Sequence, residues 1–144
     1  MIIRNARIED LDAILAMLQR DSFTYRPEQA ADFVRAFHDI DREPNNELIV
    51  AERDGDIVGT LQLTFIPGMT YGGAWRAQVE AVRVREDLRN LQIGTKLMHW
   101  VIERAKERGC GVVQLTTNVA RVDAQRFYKR LGFEASHVGM KLTL

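Results

Sequence analysis

Val79-Glu80-Ala81-Val82-Arg83-Val84-Arg85-Glu86-Asp87-Leu88-Arg89-Asn90-Leu91-Gln92-Ile93-Gly94-Thr95-Lys96-Leu97-Met98 is the stretch from which the fold is read. It begins as an alternating strand, Val79 to Val84, passes through a short polar loop, and opens an amphipathic helix at Gln92-Ile93-Gly94. Such a junction aims several unpaired backbone N–H groups at one spot, where the helix dipole adds positive potential. Those are the physical requirements of an anion site, and phosphate is the usual guest. Gly94 lets a backbone approach a phosphate closely, and Arg89 and Asn90 flank it with polar groups. A plain strand-to-helix loop whose glycine only relieves a tight turn fits the same residues. Neither a Gly-x-x-x-x-Gly-Lys-Ser/Thr loop nor a Gly-x-Gly-x-x-Gly run occurs, so both common nucleotide fingerprints fail.

Outward from this stretch, the pattern alternates between helical and strand periods. Upstream, Ile2 and Ile3 start a short strand. A helix is expected from Glu9 to Gln19, with Leu11, Ile14, Leu15 and Leu18 on one face. Asp21 to Pro27 reads as a break, and a second helix from Pro27 to His38 carries Ala30, Phe33, Val34 and Phe37. Leu48 to Glu52 and Ile57 to Ile66 read as strands joined at Asp54-Gly55, a strong hairpin signal. Pro67 to Gly73 is a glycine-rich connection into the strand that reaches Val84. Downstream, the helix from Gln92 to Arg108 ends at Gly109 and Gly111. A β-branched run, Val112 to Thr116, reads as a buried strand. A fourth helix spans Asp123 to Leu131 and stops at Gly132, and Phe133 to Leu142 is expected to supply the final strands. With no repeat, linker or low-complexity tract, the expectation is one α/β domain over residues 1–144.

Composition narrows the class. The 144 residues are 46% hydrophobic and 28% charged, ordinary for a soluble globular protein. Twenty Lys and Arg balance twenty Asp and Glu, so no global basic field points to nucleic acid. No apolar run approaches the roughly 20 residues that span a bilayer, and the first residues do not read as a signal peptide. A cytoplasmic protein is therefore expected. Cys110 is the one cysteine, which excludes an internal disulfide. His38, His99 and His137 fall on separate elements without metal-like spacing, so no metal is expected.

Two further groups carry chemical interest. Tyr128 lies near the end of the fourth helix; a partly wet phenol can protonate a leaving group, and its reference pKa near 10 is close to that of a thiol. An amphipathic core tyrosine is the alternative. Alternation places Glu80, Val82 and Val84 on one strand face and Val79, Ala81 and Arg83 on the other. A carboxylate on an otherwise apolar face is costly unless it is hydrogen-bonded or works as a base; a solvent-facing strand residue is the alternative.

Taken together, Arg89-Asn-Leu-Gln92-Ile-Gly94 and Phe127-Tyr128-Lys-Arg-Leu-Gly132-Phe133 resemble the two motifs of the Gcn5-related N-acetyltransferase (GNAT) superfamily. These are Arg/Gln-x-x-Gly-x-Gly/Ala at a helix start and Phe-Tyr-x-x-x-Gly-Phe at a later helix end. Ile3 to Leu11 is similar to the family's opening strand and helix. The resemblance implies a mixed, mostly antiparallel twisted sheet flanked by about four helices, with splayed central strands. It also implies acetyl-coenzyme A as cofactor and acyl transfer to a small-molecule or peptide amine. Residues Val82, Arg83 and Val84 would pair with pantetheine, while Arg89, Asn90, Leu91, Gln92, Ile93, Gly94 and Thr95 would hold the pyrophosphate. Asn118, Arg121 and Phe127 would line the cofactor, with Arg121 at its 3′-phosphate or a pantetheine carbonyl. Tyr128 would protonate the departing thiolate, Glu80 would deprotonate the amine, and a backbone N–H near Val82 would steady the acetyl oxygen. Attack would be direct, without a covalent enzyme intermediate. Dimers are common in the superfamily, so a homodimer is among the expectations. A non-catalytic coenzyme A-binding sensor on the same fold is the rival reading. Two positions depart from the pattern: Gln92 replaces the first motif glycine, and Arg121 stands where many members have Asn. The acceptor is expected between the loop Ile66 to Arg76 and the helix Pro27 to His38, with Met69, Tyr71 and Trp75 making it partly apolar.

Overall fold

The computed structural model describes residues 1–19 and 27–144. These divide into two compact units, Met1–Gln114 and Leu115–Leu144. In chain order the elements are β1 (Ile2–Asn5), α1 (Leu11–Leu18), α2 (Ala30–Arg42), β2 (Asn46–Arg53), β3 (Asp56–Ile66), β4 (Trp75–Val84), α3 (Ile93–Glu107), β5 (Cys110–Leu115) and α4 (Val122–Arg130). The expected break from Asp21 to Pro27 lies outside the described residues as far as Arg26.

One five-stranded sheet runs in the order β1-β2-β3-β4-β5. The first three pairings are antiparallel, and the long α3 carries the chain from β4 to β5, the kind of crossover that parallel neighbours need. Asp54 and Gly55, at φ 52° and 85°, make the β2–β3 turn with both central residues left-handed, which suits the twist of a tight hairpin. β4 and β5 diverge, their backbones coming close at few positions. The mixed, splayed sheet with four α-helices among the described residues is the architecture the sequence implied.

The strand register separates the sheet's two faces. Ile49, Leu61, Leu63, Phe65, Ala77 and Val79 share one face and are all at most 2% exposed. α3 covers this face with Ile93, Leu97, Met98, Val101 and Ala105, all buried. A Cβ on Gly59 would stand 2.9 Å from Leu97 Cδ1, so β3 has a glycine where the helix comes nearest. At the helix C-terminus Arg104 grips Glu47 of β2, Arg108 Nη1 lies 3.6 Å from the same carboxylate, and the Arg108 guanidinium sits 4.0 Å above Phe65. Glu47 raises the Arg104 pKa through these charge-assisted bonds. On the opposite face α2 lies against β2, where Phe37 and Ile40 share a cavity of about 90 Å³ with Asn46 and Leu48.

Several boundaries differ from the sequence expectation for identifiable reasons. α2 continues four residues past His38 to Arg42. Asp39 and Arg42 pair across one turn at 2.8 Å, and Glu43 turns extended (ψ 115°) as the residue before Pro44 must. Gly109, at φ +72°, ends α3 alone. Gly111 belongs to β5, where a Cβ would come within 2.8 Å of Ala74 Cβ. β5 is half-buried rather than fully buried. Among the described residues no strand follows β5, so Phe133 to Leu142 does not form the expected final strands. Val138, Met140 and Leu142 alternate as a strand would, yet each is at least 86% exposed; alternation without a neighbouring ladder does not make a strand.

The start of α1 is organised by charge. A 3-10 turn, Ile8–Asp10, precedes it. Asp10 accepts the Arg7 backbone N–H at 2.7 Å and two bonds from the Arg4 guanidinium at 2.7 and 3.1 Å. Arg4 also donates to Glu52 at 2.9 Å. Arg4 holds the Asp10 carboxyl below its usual range against the opposing effect of burial. A depressed folded-state pKa stabilises at neutral pH and loses that contribution as pH falls through it. Asp10→Asn should therefore lower unfolding stability by about 2 kcal/mol at pH 7. In urea melts, the gap to the parent should shrink below about pH 4; a gap independent of pH would exclude this role for the carboxylate.

Candidate active site

The centre of β4 is irregular. Thr60 pairs with Arg83 and Gln62 with Glu80. Leu61 alone therefore faces both Ala81 and Val82, a β-bulge. Ala81 sits at φ +53°, in the left-handed region that residues with a Cβ seldom occupy. A bulge leaves its extra residue outside the ladder and re-aims the backbone. This corrects the alternation read from the sequence. Arg83, opposite Thr60, shares the face of Glu80, while Val84, opposite Gly59, turns to the α3 side. Val82, Arg83 and Val84 are half-buried, and the Val82 carbonyl accepts from Arg83 Nη1 at 2.9 Å.

Glu80 does not stand among apolar residues. The register puts Gln78, Gln62 and Thr64 on its face. Its carboxylate is exposed and makes no hydrogen bond or ion pair among the described residues.

β4 then leads through a 3-10 segment, Glu86–Leu91, to α3. Arg85 anchors this passage. Its N–H donates to Val58 O at 2.9 Å, and its guanidinium takes both oxygens of Asp87 at 2.9 and 2.8 Å. Gln92 joins the segment to α3 at φ 59°, ψ 22°, and caps α3 without a side-chain hydrogen bond. The first backbone bond inside the helix is Lys96 N–H to Gln92 O, 3.1 Å, so the amides of Ile93, Gly94 and Thr95 have no acceptor within it. The first turn carries no acidic residue, and Arg89 has no ion pair among the described residues. Three free amides at the positive end of a 15-residue helix, beside an uncommitted arginine, suit a phosphorylated ligand. Asn90, Leu91 and Gln92 are exposed around them.

The remaining sequence-derived residues belong to the second unit. Asn118 closes the turn before α4, its Oδ1 accepting the Ala120 N–H at 2.9 Å and its carbonyl the Arg121 N–H at 2.9 Å. Arg121 is the residue before the helix, and Gln125 N–H bonds back to its carbonyl at 3.1 Å. Tyr128 packs edge-on against Phe127 (5.1 Å) and Phe133 (5.8 Å), and its carbonyl accepts the Phe133 N–H at 3.0 Å. The Phe-Tyr-x-x-x-Gly-Phe motif is thus one helix end folded on its own aromatic rings, turned by Gly132 at φ +98°.

Other expectations are redirected. Met69 is 97% and Tyr71 57% exposed, so neither lines an enclosed apolar pocket. Burial raises the Cys110 thiol pKa against a smaller lowering by Arg108, the opposite of what a thiolate nucleophile requires. The Ala81 bulge was missed in the sequence because neighbouring residues are all strand formers. The Gln62, Gln78 and Gln114 amides were missed because each was read within its own strand; a comparison across strands would have placed the first two on one face.

Gln92 occupies by strain the position where glycine is free. Gln92→Gly removes the Cβ penalty of a left-handed residue but adds chain entropy to the unfolded state. The expected net effect is a gain of up to about 1 kcal/mol in denaturant unfolding. A loss of stability would mean that the Gln92 side chain supports the turn.

Comparisons with known proteins identify the family. The model of the acetyltransferase (GNAT) family matches residues 11–133. The aminoalkylphosphonate N-acetyltransferase of Salmonella typhimurium is 29% identical over 141 residues, covering 94% of this chain and 86% of its own. A crystal structure from Bacillus halodurans, described as a transcriptional regulator, superimposes with a TM-score of 0.93 at 47% identity over 99% of both chains. A Trypanosoma brucei acetyltransferase gives 0.82 at 27% identity, again over 99% of both. With the family model matching most of its length, the chain belongs to the GNAT acetyltransferase family.

Proposed function

We propose that this protein is an N-acetyltransferase that moves an acetyl group from acetyl-coenzyme A to a small primary amine by direct attack within a ternary complex, as one catalytic domain spanning residues 1–144. The observation that carries the reading is the conjunction of the β4 bulge with the unfilled amides of α3, one after the other along the chain. The amides of Ile93, Gly94 and Thr95, with Arg89, Asn90, Leu91 and Gln92 beside them, would hold the pyrophosphate. The backbone of Val82, Arg83 and Val84 would accompany the pantetheine arm, and Asn118, Arg121 and Phe127 would contact the cofactor. When bound, the cofactor supplies a thioester carbonyl, from which acetyl passes to the amine nitrogen as the sulphur leaves.

Each residue then has one task. Glu80, uncommitted to any ion pair among the described residues, takes a proton from the substrate ammonium and leaves a neutral nucleophile. A bulge amide at Ala81 or Val82 donates to the oxygen on which charge develops. Tyr128 gives its proton to the departing sulphur, and the second proton shed by the acylated nitrogen restores the phenol. The Salmonella relative is named for an aminoalkylphosphonate, which supports a small amine acceptor. Among the described residues no helix is long and apolar enough to cross a membrane.

A second reading, a coenzyme A-binding regulatory module, has one observation in its favour: the Bacillus halodurans relative is described as a transcriptional regulator. A pure binder needs neither Glu80 nor Tyr128. Tyr128→Phe should retain acetyl-coenzyme A affinity in calorimetry while kcat falls about a hundredfold. Equal turnover across a pH series would remove Tyr128 from this role. Acetyl-coenzyme A should also raise the melting temperature where ATP does not; stabilisation by ATP alone would count against the whole assignment.

A further inference from the structure

The sheet face opposite α3 carries a continuous polar stripe. Asn46, Thr64 and Gln78 are paired in register across β2, β3 and β4, and Gln62 stands opposite Glu80 one step along. The stripe is braced by its own hydrogen bonds. Asn46 Oδ1 accepts from Gln62 Nε2 and Thr64 Oγ1, each at 2.9 Å, and Gln114 Nε2 donates to Gln78 Oε1 at 2.7 Å. In either orientation of the Gln78–Gln114 pair, one NH2 and one carbonyl stay available among the described residues. These side chains are half-exposed, in contrast to the fully buried residues of the α3 face.

We infer that this stripe selects the acceptor, and that the acceptor is a hydrophilic amine bearing a hydroxyl or amide group rather than a plain alkylamine. The inference rests on the acetyltransferase reading and on Glu80 as the group that meets the amine. Residues two apart on a strand face lie about 7 Å apart, and directly opposed residues about 5 Å. An acceptor whose nitrogen sits at Glu80 therefore lays its next few atoms over Gln78 and Gln62. An alkyl chain there strips the amides of water and offers nothing in return. A hydroxyl or amide replaces that water with a bond. Two cations share this face, but Arg76 turns its Nη1 towards Thr70 Oγ1 at 3.5 Å and Arg83 its Nη1 to the Val82 carbonyl at 2.9 Å, so what Gln78 and Gln62 themselves offer is neutral hydrogen bonding. Because Gln78 and Gln62 are already held by Gln114 and Asn46, little side-chain freedom is lost on binding.

The test compares two amines of matched length, aminopentanol and hexylamine, with release of free thiol as the readout. The parent should favour aminopentanol in kcat/KM. Gln78→Leu should lower that preference about tenfold or more, mainly through the KM for aminopentanol, with the KM for acetyl-coenzyme A unchanged. Gln78→Glu, which keeps an acceptor, should restore part of it. Gln62→Leu, on the neighbouring strand, gives an independent reading if Gln78→Leu lowers the melting temperature. An unchanged preference in both leucine variants, or a parent that favours hexylamine, overturns the inference while leaving the acetyltransferase reading intact. Failure of the parent to acetylate either amine, with acetyl-coenzyme A bound, overturns both.

Discussion

One extra residue in β4 governs how this sheet can be used. Placing Ala81 and Val82 against the single Leu61 interrupts the ladder between β3 and β4. The interruption has several effects at once. It reverses which side chains face α3, so that Val79 and Val84 serve the core while Glu80 and Arg83 share the open face. It takes backbone out of the β3 ladder, leaving polar groups to be satisfied by something else. It also lies in the strand that neighbours β5, the pair that diverges. The strain of Ala81 at φ +53° is the cost of this arrangement, and costs of this kind tend to collect where a chain has work to do.

The two faces of the sheet divide labour by chemistry. Against α3 the strands present apolar groups and Glu47, which is neutralised by Arg104 and Arg108. That face supplies stability. The other is lined by amides, a hydroxyl and a free carboxylate that are partnered among themselves just enough to stay ordered. Val50, Val58 and Thr60 are buried elsewhere on that face, so it is the polar stripe alone that contributes little to folding. Its composition makes sense as a place where something polar is received.

Much of this was legible in the residues themselves. The hairpin at Asp54-Gly55, the α3 stripe and the aromatic end of α4 follow from local rules, because turn chemistry and helical period act over a few residues. What could not be read needed two strands at once. The bulge is a relation between Leu61 and the Ala81-Val82 pair, and the polar stripe is a relation among β2, β3, β4 and β5. The run ending at Leu142 misled for the complementary reason: its alternation is real, but pairing depends on a neighbour that no local pattern reports. Gln92 was legible as a departure, and the structure supplies its meaning, a side chain carried in a left-handed turn.

The Glu47 clamp has a consequence for ligand binding. Under the proposed function α3 would meet an anion at one end, and it is bolted to β2 at the other, by Arg104 and Arg108 closing on a single carboxylate. A helix secured in this way does not slide or tilt when charge arrives at its N-terminus. The field it presents is therefore the same before and after binding, and association loses little freedom in the protein. Glu47, more than 40 positions upstream in sequence from the Ile93–Thr95 amides, is thus tied to the proposed phosphate site through the length of one helix.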